Sequence, residues 1–243
     1  MKRFRTPLLC AFAFSALMLG AWFGGRKLFA MACAAPDIGS KMKLLNAAAA
    51  LGCAEAVAER GIVNMQTGRP AQAWADFGRV IRHSSGYPAA YIYRAEIAAS
   101  FGNLRAALDD YNQAMLKMEP YLRSLAQNSQ AQAQARARGS NLAEVSRGLY
   151  GRILRGRCAV YARLKRFGDA LVDAGLCVEI APEDWRGYAA RAAAYSFIGQ
   201  DARAAADVKT AVKLGADKEA YLRETEAFPP QARKLAAAFA PAK

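Results

Sequence analysis

Histidine is almost missing from this chain: His83 is the only one among 243 residues. Cysteine is sparse, at Cys10, Cys33, Cys53, Cys158 and Cys177, and no two of these form a Cys-x-x-C pair. The two scarcities exclude the usual zinc spacings and leave no Cys–His or Ser–His couple for nucleophilic catalysis. Adjacent glycines occur only at Gly24–Gly25, which form no phosphate-cradling loop. Carboxylates that neighbour in sequence, Asp109–Asp110 and Glu183–Asp184, point different ways on a helix. No catalytic residue, metal or cofactor is therefore expected, and His83, among serines at a helix end, reads as a surface residue.

Strand-like alternation is hard to find. Apolar residues make up 54% of the chain, and much of that is alanine, the best helix former. The class is all-α. Acids are also short, with 20 Asp and Glu against 34 Lys and Arg and a net charge of +14. From Tyr121 to Ala170 ten basic residues meet only Glu144 and Asp169. That density reads as a solvated basic face or as attraction to an acidic protein. Nucleic acid is disfavoured, because no aromatic platforms interleave with the arginines.

The N-terminus begins with Lys2, Arg3 and Arg5, continues through an uncharged apolar run from Leu8 to Gly25, and stops at Arg26–Lys27. A run of that length lies at the boundary between a secretory apolar region and a membrane-spanning helix. The basic leader keeps the N-terminus cytoplasmic, so the remainder is exported. Small residues at Ala30, Ala32, Ala34 and Ala35 offer cleavage after Ala32 or Ala34. Residues 1–35 read as a signal anchor or a signal peptide, with lipidation of Cys33 a third alternative. The expected location is the periplasmic face of an inner membrane, anchored or released after cleavage.

Further along, one pattern recurs every 34 residues. Arg60, Gly61, Gly68, Ala73, Asp76 and Phe77 return as Arg94, Ala95, Gly102, Ala107, Asp110 and Tyr111. Arg157, Cys158, Ala170, Asp173 and Cys177 return as Arg191, Ala192, Ala204, Asp207 and Ala211. Between the two blocks the register slips: Ala170 stands short of the place that two full periods from Ala107 would reach. Breaks are expected at Ser84–Pro88 and Glu119–Pro120. The organisation is then a capping helix over 36–53, repeats over 54–120, an irregular or helical Gln/Ala/Arg-rich insertion over 121–149, repeats over 150–216, and a C-terminal capping segment over 217–243. The insertion is expected to allow a bend, with Gly139–Ser140–Asn141 a break within it.

A 34-residue period of helix, turn and helix resembles the tetratricopeptide repeat family. The resemblance covers the two repeat blocks and leaves out the insertion between them. It implies an α-α superhelix of about four helix hairpins, here with an N-terminal hydrophobic helix in addition. Small residues stand where paired helices come closest: Gly61, Ala95, Cys158 and Ala192, opposite Ala73, Ala107, Ala170 and Ala204. Phe77, Tyr91, Tyr111, Tyr161, Tyr188 and Tyr195 fill the gaps. Cys158 and Cys177 hold small-residue packing positions and read as buried thiols, with a disulfide between them the alternative. An arginine and an aspartate recur at one fixed separation in every repeat, from Arg60 and Asp76 to Arg191 and Asp207. They read as an ion pair tying the two helices together.

The resemblance further implies that the first helix of each repeat lines a concave groove for a partner peptide. Its exposed positions here are Arg152, Arg155, Ala159, Ala162 and Arg163, then Arg186, Ala189, Ala193, Ser196 and Phe197. Glu55, Ala58, Ile62, Met65, Ala89, Ile92 and Glu96 form a more apolar half. Arg152, Arg155, Arg163 and Arg186 are the candidate peptide-binding residues, since arginine suits bidentate carboxylate contacts. The expected function is a protein–protein interaction scaffold of the bacterial cell envelope. Alternatives are a dedicated subunit of a secretion, pilus or cytochrome-maturation machine, and an accessory domain of an envelope enzyme. The partner is a protein or peptide, with acidic chemistry favoured.

Overall fold

A computed structural model describes residues 23–84, 86–127, 142–228 and 230. Residues 23–33 form helix α1. It is followed by α2 (Ile38–Ala50), α3 (Ala54–Gln66), α4 (Pro70–His83), α5 (Pro88–Ser100) and α6 (Leu104–Gln127). Then come α7 (Leu142–Arg163), α8 (Phe167–Ile180), α9 (Trp185–Phe197), α10 (Asp201–Lys213) and α11 (Lys218–Glu224). No strand occurs among the described residues. The fold is all-α, as the composition and the repeat require. Most of the N-terminal apolar run, residues 8–22, lies outside the described residues. No described helix is long and apolar enough to cross a membrane.

Helix ends follow local chemistry. Asp37, Asp184 and Asp217 each accept a backbone N–H in the first turn, of Ser40 at 2.8 Å, Arg186 at 3.1 Å and Ala220 at 2.7 Å. They satisfy donors that the helix itself cannot. Pro70 opens α4, where its missing N–H costs nothing and its φ is already helical. The first helix of every repeat closes alike. Gly68, Gly102 and Gly199 adopt φ of 71°, 79° and 78°, and Lys165 takes the same place in the third repeat at 60°. The next N–H reaches back to the carbonyl of Asn64, Ala98, Tyr161 or Tyr195 in each case, as in a Schellman termination.

One sequence expectation needs correction. Glu119–Pro120 is not a break, since α6 runs through Pro120 to Gln127. Proline removes one helical hydrogen bond. Burial of Met118 just before it, at 2% exposure, and the packing of α6 on α7 outweigh that loss. Helix α7 begins at Leu142, so the last part of the insertion is helical. The insertion thus lengthens the helices on both its sides. Residues 128–141, including most of the Gln/Ala/Arg stretch and the Gly139–Ser140–Asn141 break, lie outside the described residues.

The chain divides into two compact units, one ending at Arg94 and the other beginning at Ala95. In the first, α1, α2 and α3 share a core of Ala32, Leu45, Ala48, Cys53, Ala56 and Val63, with Leu28 and Phe29 packed against it. Helix α4 packs on α3 and delivers Phe77, fully buried. A Cβ at Gly61 would come within 2.8 Å of the Phe77 ring, which is why glycine stands there.

In the second unit, α6 packs on α7, α7 on α8, α8 on α9, and α9 on α10. Across the insertion, Arg157 Nη1 donates to Asn112 Oδ1 at 2.9 Å. Tyr111 lies so near α7 that any side chain at Gly156 would overlap its hydroxyl. These contacts join α6 and α7 directly across the insertion. Cys158, Ala162, Phe167, Ala170, Ala174, Ala190, Ala193 and Ala194 form one core with Phe228. Ala189, Ala192, Ala204 and Val208 form a second with Tyr221. Tyr221 and Phe228 thereby cover the last repeat, the role of a terminal cap. The segment 232–239, expected to help, lies outside the described residues.

Candidate functional site

The recurring Arg–Asp pairs are structural. Arg157 Nε and Nη2 donate to Asp173 at 2.7 and 2.6 Å. Arg191 makes the same fork on Asp207 at 2.8 and 2.8 Å. Arg60 holds Asp76 in like manner, its Nε–Oδ2 distance 3.0 Å. All four aspartates of the series are buried. Burial pushes the Asp173 carboxyl above its ordinary value, and Arg157 opposes that rise. Each of these three pairs links the two helices of its own hairpin, as the fixed separation implies. The aspartates are desolvated and satisfied by their arginines, whose side chains keep partial exposure.

The four candidate arginines lie in the second unit, and each already has a partner there. Arg152 forks onto Glu96, both bonds 2.7 Å. Arg163 Nη1 donates to the Ala99 carbonyl. Arg155 meets Asp184 at 3.1 Å and Glu224 at 3.5 Å. Arg186 meets both carboxylate oxygens of Asp184, at 2.8 and 2.9 Å. Only Arg155 and Arg186 converge, and Asp184 is what brings them together. Burial alone would raise the Asp184 carboxyl; hydrogen bonds from Arg186 and the charge of Arg155 hold it below the usual range. Glu224 goes the other way, because its burial outweighs the same two arginines.

Arg147, Gly151, Arg155, Asp184, Trp185 and Arg186 line a cavity of about 490 Å³. Its wall mixes paired charges with one indole. The arrangement suits a polypeptide segment that exchanges hydrogen bonds with the arginine–carboxylate network and lays an apolar side chain on Trp185. Sequence reasoning missed Trp185 and Glu224. Trp185 was visible as the residue after the helix cap. Glu224 stands two repeats beyond Arg155 in the chain, and no local pattern relates them.

The alanines assigned to the groove are elsewhere. Ala162, Ala189 and Ala193 are buried, as are Ala58 and Ile92. Ala162 and Ala193 belong to the core with Cys158, and Ala189 to the core with Tyr221. Alanine allows close helix approach, so positions read as solvent-facing are where a neighbouring helix docks. Cys158 and Cys177 are buried free thiols. Burial holds Cys158 well above its usual value and pushes Cys177 up to about 12. His83 is exposed at the end of α4. Among the described residues no cluster of His, Cys, Asp and Glu is arranged to hold a metal ion.

No family profile matches the sequence, and no curated protein does. Solved structures do match. The MamA protein aligns at TM-score 0.55 and 15% identity, over 87% of this chain and 93% of its own. The MamA RS-1 ArsTM double mutant aligns at 0.58 and 11% identity, over 80% and 94%. A chain of the APC/C hetero-tetramer Cut9–Hcn1 aligns at 0.58 and 14% identity, over 79% of this chain and 33% of its own. At these identities the likeness is one of fold. Together with helix hairpins recurring at 34 residues, it shows that the chain has the tetratricopeptide-repeat fold.

Proposed function

We propose that the chain is a non-catalytic scaffold of the bacterial cell envelope that holds a partner polypeptide. The observation that carries this reading is the cavity around Trp185, where Arg155 and Arg186 are oriented by Asp184 on packed hairpins. Such preorganisation lowers the entropy lost when a segment docks. The partner chemistry suggested is mixed rather than strongly acidic, because Asp184 and Glu224 already balance the two arginines.

Tethering to the membrane through the N-terminal apolar run is part of the proposal. Helix α1 buries Ala32 completely and packs Leu28 and Phe29 on the first core. Cleavage after Ala32 or Ala34 would strip that cover, which favours retention. Mass measurement of the chain recovered from cells tests this: an N-terminus at Cys33 or Ala35 would contradict it.

Docking is tested by affinity capture from a membrane fraction, comparing the native chain with Trp185→Ala and Arg186→Ala. Both positions are partly exposed, so both variants should fold, as thermal melting can verify. Loss of the captured polypeptides supports the site. Unchanged capture by both folded variants refutes it. Capture of one stoichiometric complex rather than several proteins would point to the dedicated-subunit alternative.

A further inference from the structure

The start of α1 is pinned against the turn between α2 and α3. A Cβ at Gly24 would lie 3.4 Å from Leu51 Cδ1, and one at Gly25 would lie 3.2 Å from Cys53 Cβ. Two recesses of about 360 and 280 Å³ open beside this turn and share Gly52, Val80 and Ser84 among their walls. The larger adds Arg26, Glu55 and Tyr87, and the smaller adds Arg79 and His83. All of these residues belong to the first unit.

The lining is basic. Glu55 is the only acid among the described lining residues, and it meets Arg26 at 3.8 Å, a loose pair with both side chains exposed. Arg79 and His83 are exposed as well. Among the described residues neither has an ion pair or a side-chain hydrogen bond. The rim is apolar: Phe23 at the start of α1, Leu51 at the end of α2 and Tyr87 on the larger recess are all exposed. Phe23, Gly24 and Gly25 are the last residues of the N-terminal apolar run, and Arg26 is the first charge beyond it. At a rise of about 1.5 Å per residue, Arg26 stands within one helical turn of Phe23. Basic groups set among exposed apolar and tyrosine side chains suit the surface of an anionic bilayer.

We propose that this face of the first unit rests on the bilayer and that the paired recesses receive the phosphate of an anionic phospholipid. Arg26 and Arg79 supply the charge, His83 and Ser84 supply hydrogen-bond donors, and the acyl chains lie against Phe23 and Leu51. A zwitterionic headgroup brings its own cation to a basic wall and gains little. A free phosphate lacks the acyl chains that meet the apolar rim. The proposal rests on the reading of the N-terminal run as a retained tether, because cleavage after Ala32 or Ala34 would remove Phe23 and Arg26. It adds which surface of the unit the membrane meets and which lipid it selects.

His83 is the only histidine of the chain, so its ring resonances report on the recess without ambiguity. The intact full chain, labelled at histidine and held in neutral detergent, is titrated with dihexanoyl phosphatidylglycerol, dihexanoyl phosphatidylcholine or inorganic phosphate. The anionic lipid should give a saturable shift of the ring, the zwitterionic lipid none, and inorganic phosphate only a much weaker response. Arg26→Gln and Arg79→Gln should each weaken the anionic lipid about fivefold, the scale of one basic side chain at a charged surface. Both positions are exposed, so both variants should fold. Lys209→Gln, exposed in the second unit, should change nothing. The proposal is overturned if the anionic lipid gives no saturable shift, if the zwitterionic lipid or inorganic phosphate binds equally well, or if neither arginine variant weakens it. A loss in Lys209→Gln as large as in Arg79→Gln would also overturn it, since the attraction would then be general. An N-terminus at Cys33 in cells would end the tethering reading, whereas a failed titration on the intact chain would end only the lipid site.

Discussion

Arg157 holds Asp173 through two parallel hydrogen bonds, while Asp173 keeps only 1% of its surface in contact with water. The pair spans the third hairpin from α7 to α8, and Asn112 on α6 accepts a third bond from the same guanidinium. One arginine therefore joins three consecutive helices. Glu183, by contrast, sits exposed in the turn before α9.

Removing one partner of a buried pair leaves the other charge desolvated and unpaired. Asp173→Ala should cost about 3–5 kcal/mol, while Glu183→Ala should cost less than about 0.5 kcal/mol. Chemical denaturation of the two variants checks this. Equal shifts in midpoint would remove the pair from its structural role.

Lys165 holds a left-handed backbone at φ 60° where the other three repeats place glycine. A Cβ in that region costs about 1–2 kcal/mol. Lys165→Gly recovers part of this, less the greater freedom that glycine has in the unfolded chain. A net gain of about 0.5–1 kcal/mol is expected, read as a rise in melting temperature. The side chain is exposed, so little packing is lost.

Gly156 and Gly148 both lie in α7 but should respond oppositely to alanine. A Cβ at Gly156 overlaps the Tyr111 side chain, whereas one at Gly148 meets nothing within 4 Å. Gly156→Ala should destabilise by about 1–3 kcal/mol through overpacking. Gly148→Ala should stabilise by about 0.5–1 kcal/mol through helix propensity. Thermal unfolding of the two side by side decides it.

Alkali should weaken the fold from about pH 9 upward. Burial raises the Cys177 thiol from 9.0 to about 12 and the Tyr221 hydroxyl from 10.0 to about 12. Between the lower and upper values the folded chain keeps protons that the unfolded chain has released. Stability from these groups is therefore whole below pH 9 and is lost as pH rises towards 12, each group contributing a slope of about 1.4 kcal/mol per pH unit. Cys158 shifts in the same direction. In a Cys158→Ala, Cys177→Ala chain the decline between about pH 9 and 10 should be shallower, because only Cys53 among the cysteines still shifts upward, and it should steepen above about pH 10, where Tyr221 and Tyr111 take over. Alanine already stands at the equivalent places, Ala192 and Ala211, so the double variant should fold. Denaturant midpoints across this pH range read the difference.

Much of the fold was legible because its signals are local and repeated. Arg60, Arg157 and Arg191 each find their aspartate at the same short distance along the chain, which is one helix, one turn and part of a second helix. Gly68, Gly102 and Gly199 mark helix ends through their own backbone. The site was less legible. Arg152 finds its partner Glu96, and Arg155 finds Asp184, across separations that differ from each other and from any repeat spacing. Such pairings have no period, and arginines that look available in a basic stretch are already paired. Alanines misled for a related reason: Ala162 and Ala193 carry too little side chain to reveal which face they cover.

Periodicity alone determined the all-α class, the hairpin unit and the ion pairs inside it, since residues one helix apart must meet whatever surrounds them. Tertiary structure decided the rest. It set how far α6 would run past Pro120 and which carboxylates would neutralise the basic stretch. Those outcomes depend on how separate helices close on one another, and that is a property of the packed chain rather than of any segment within it.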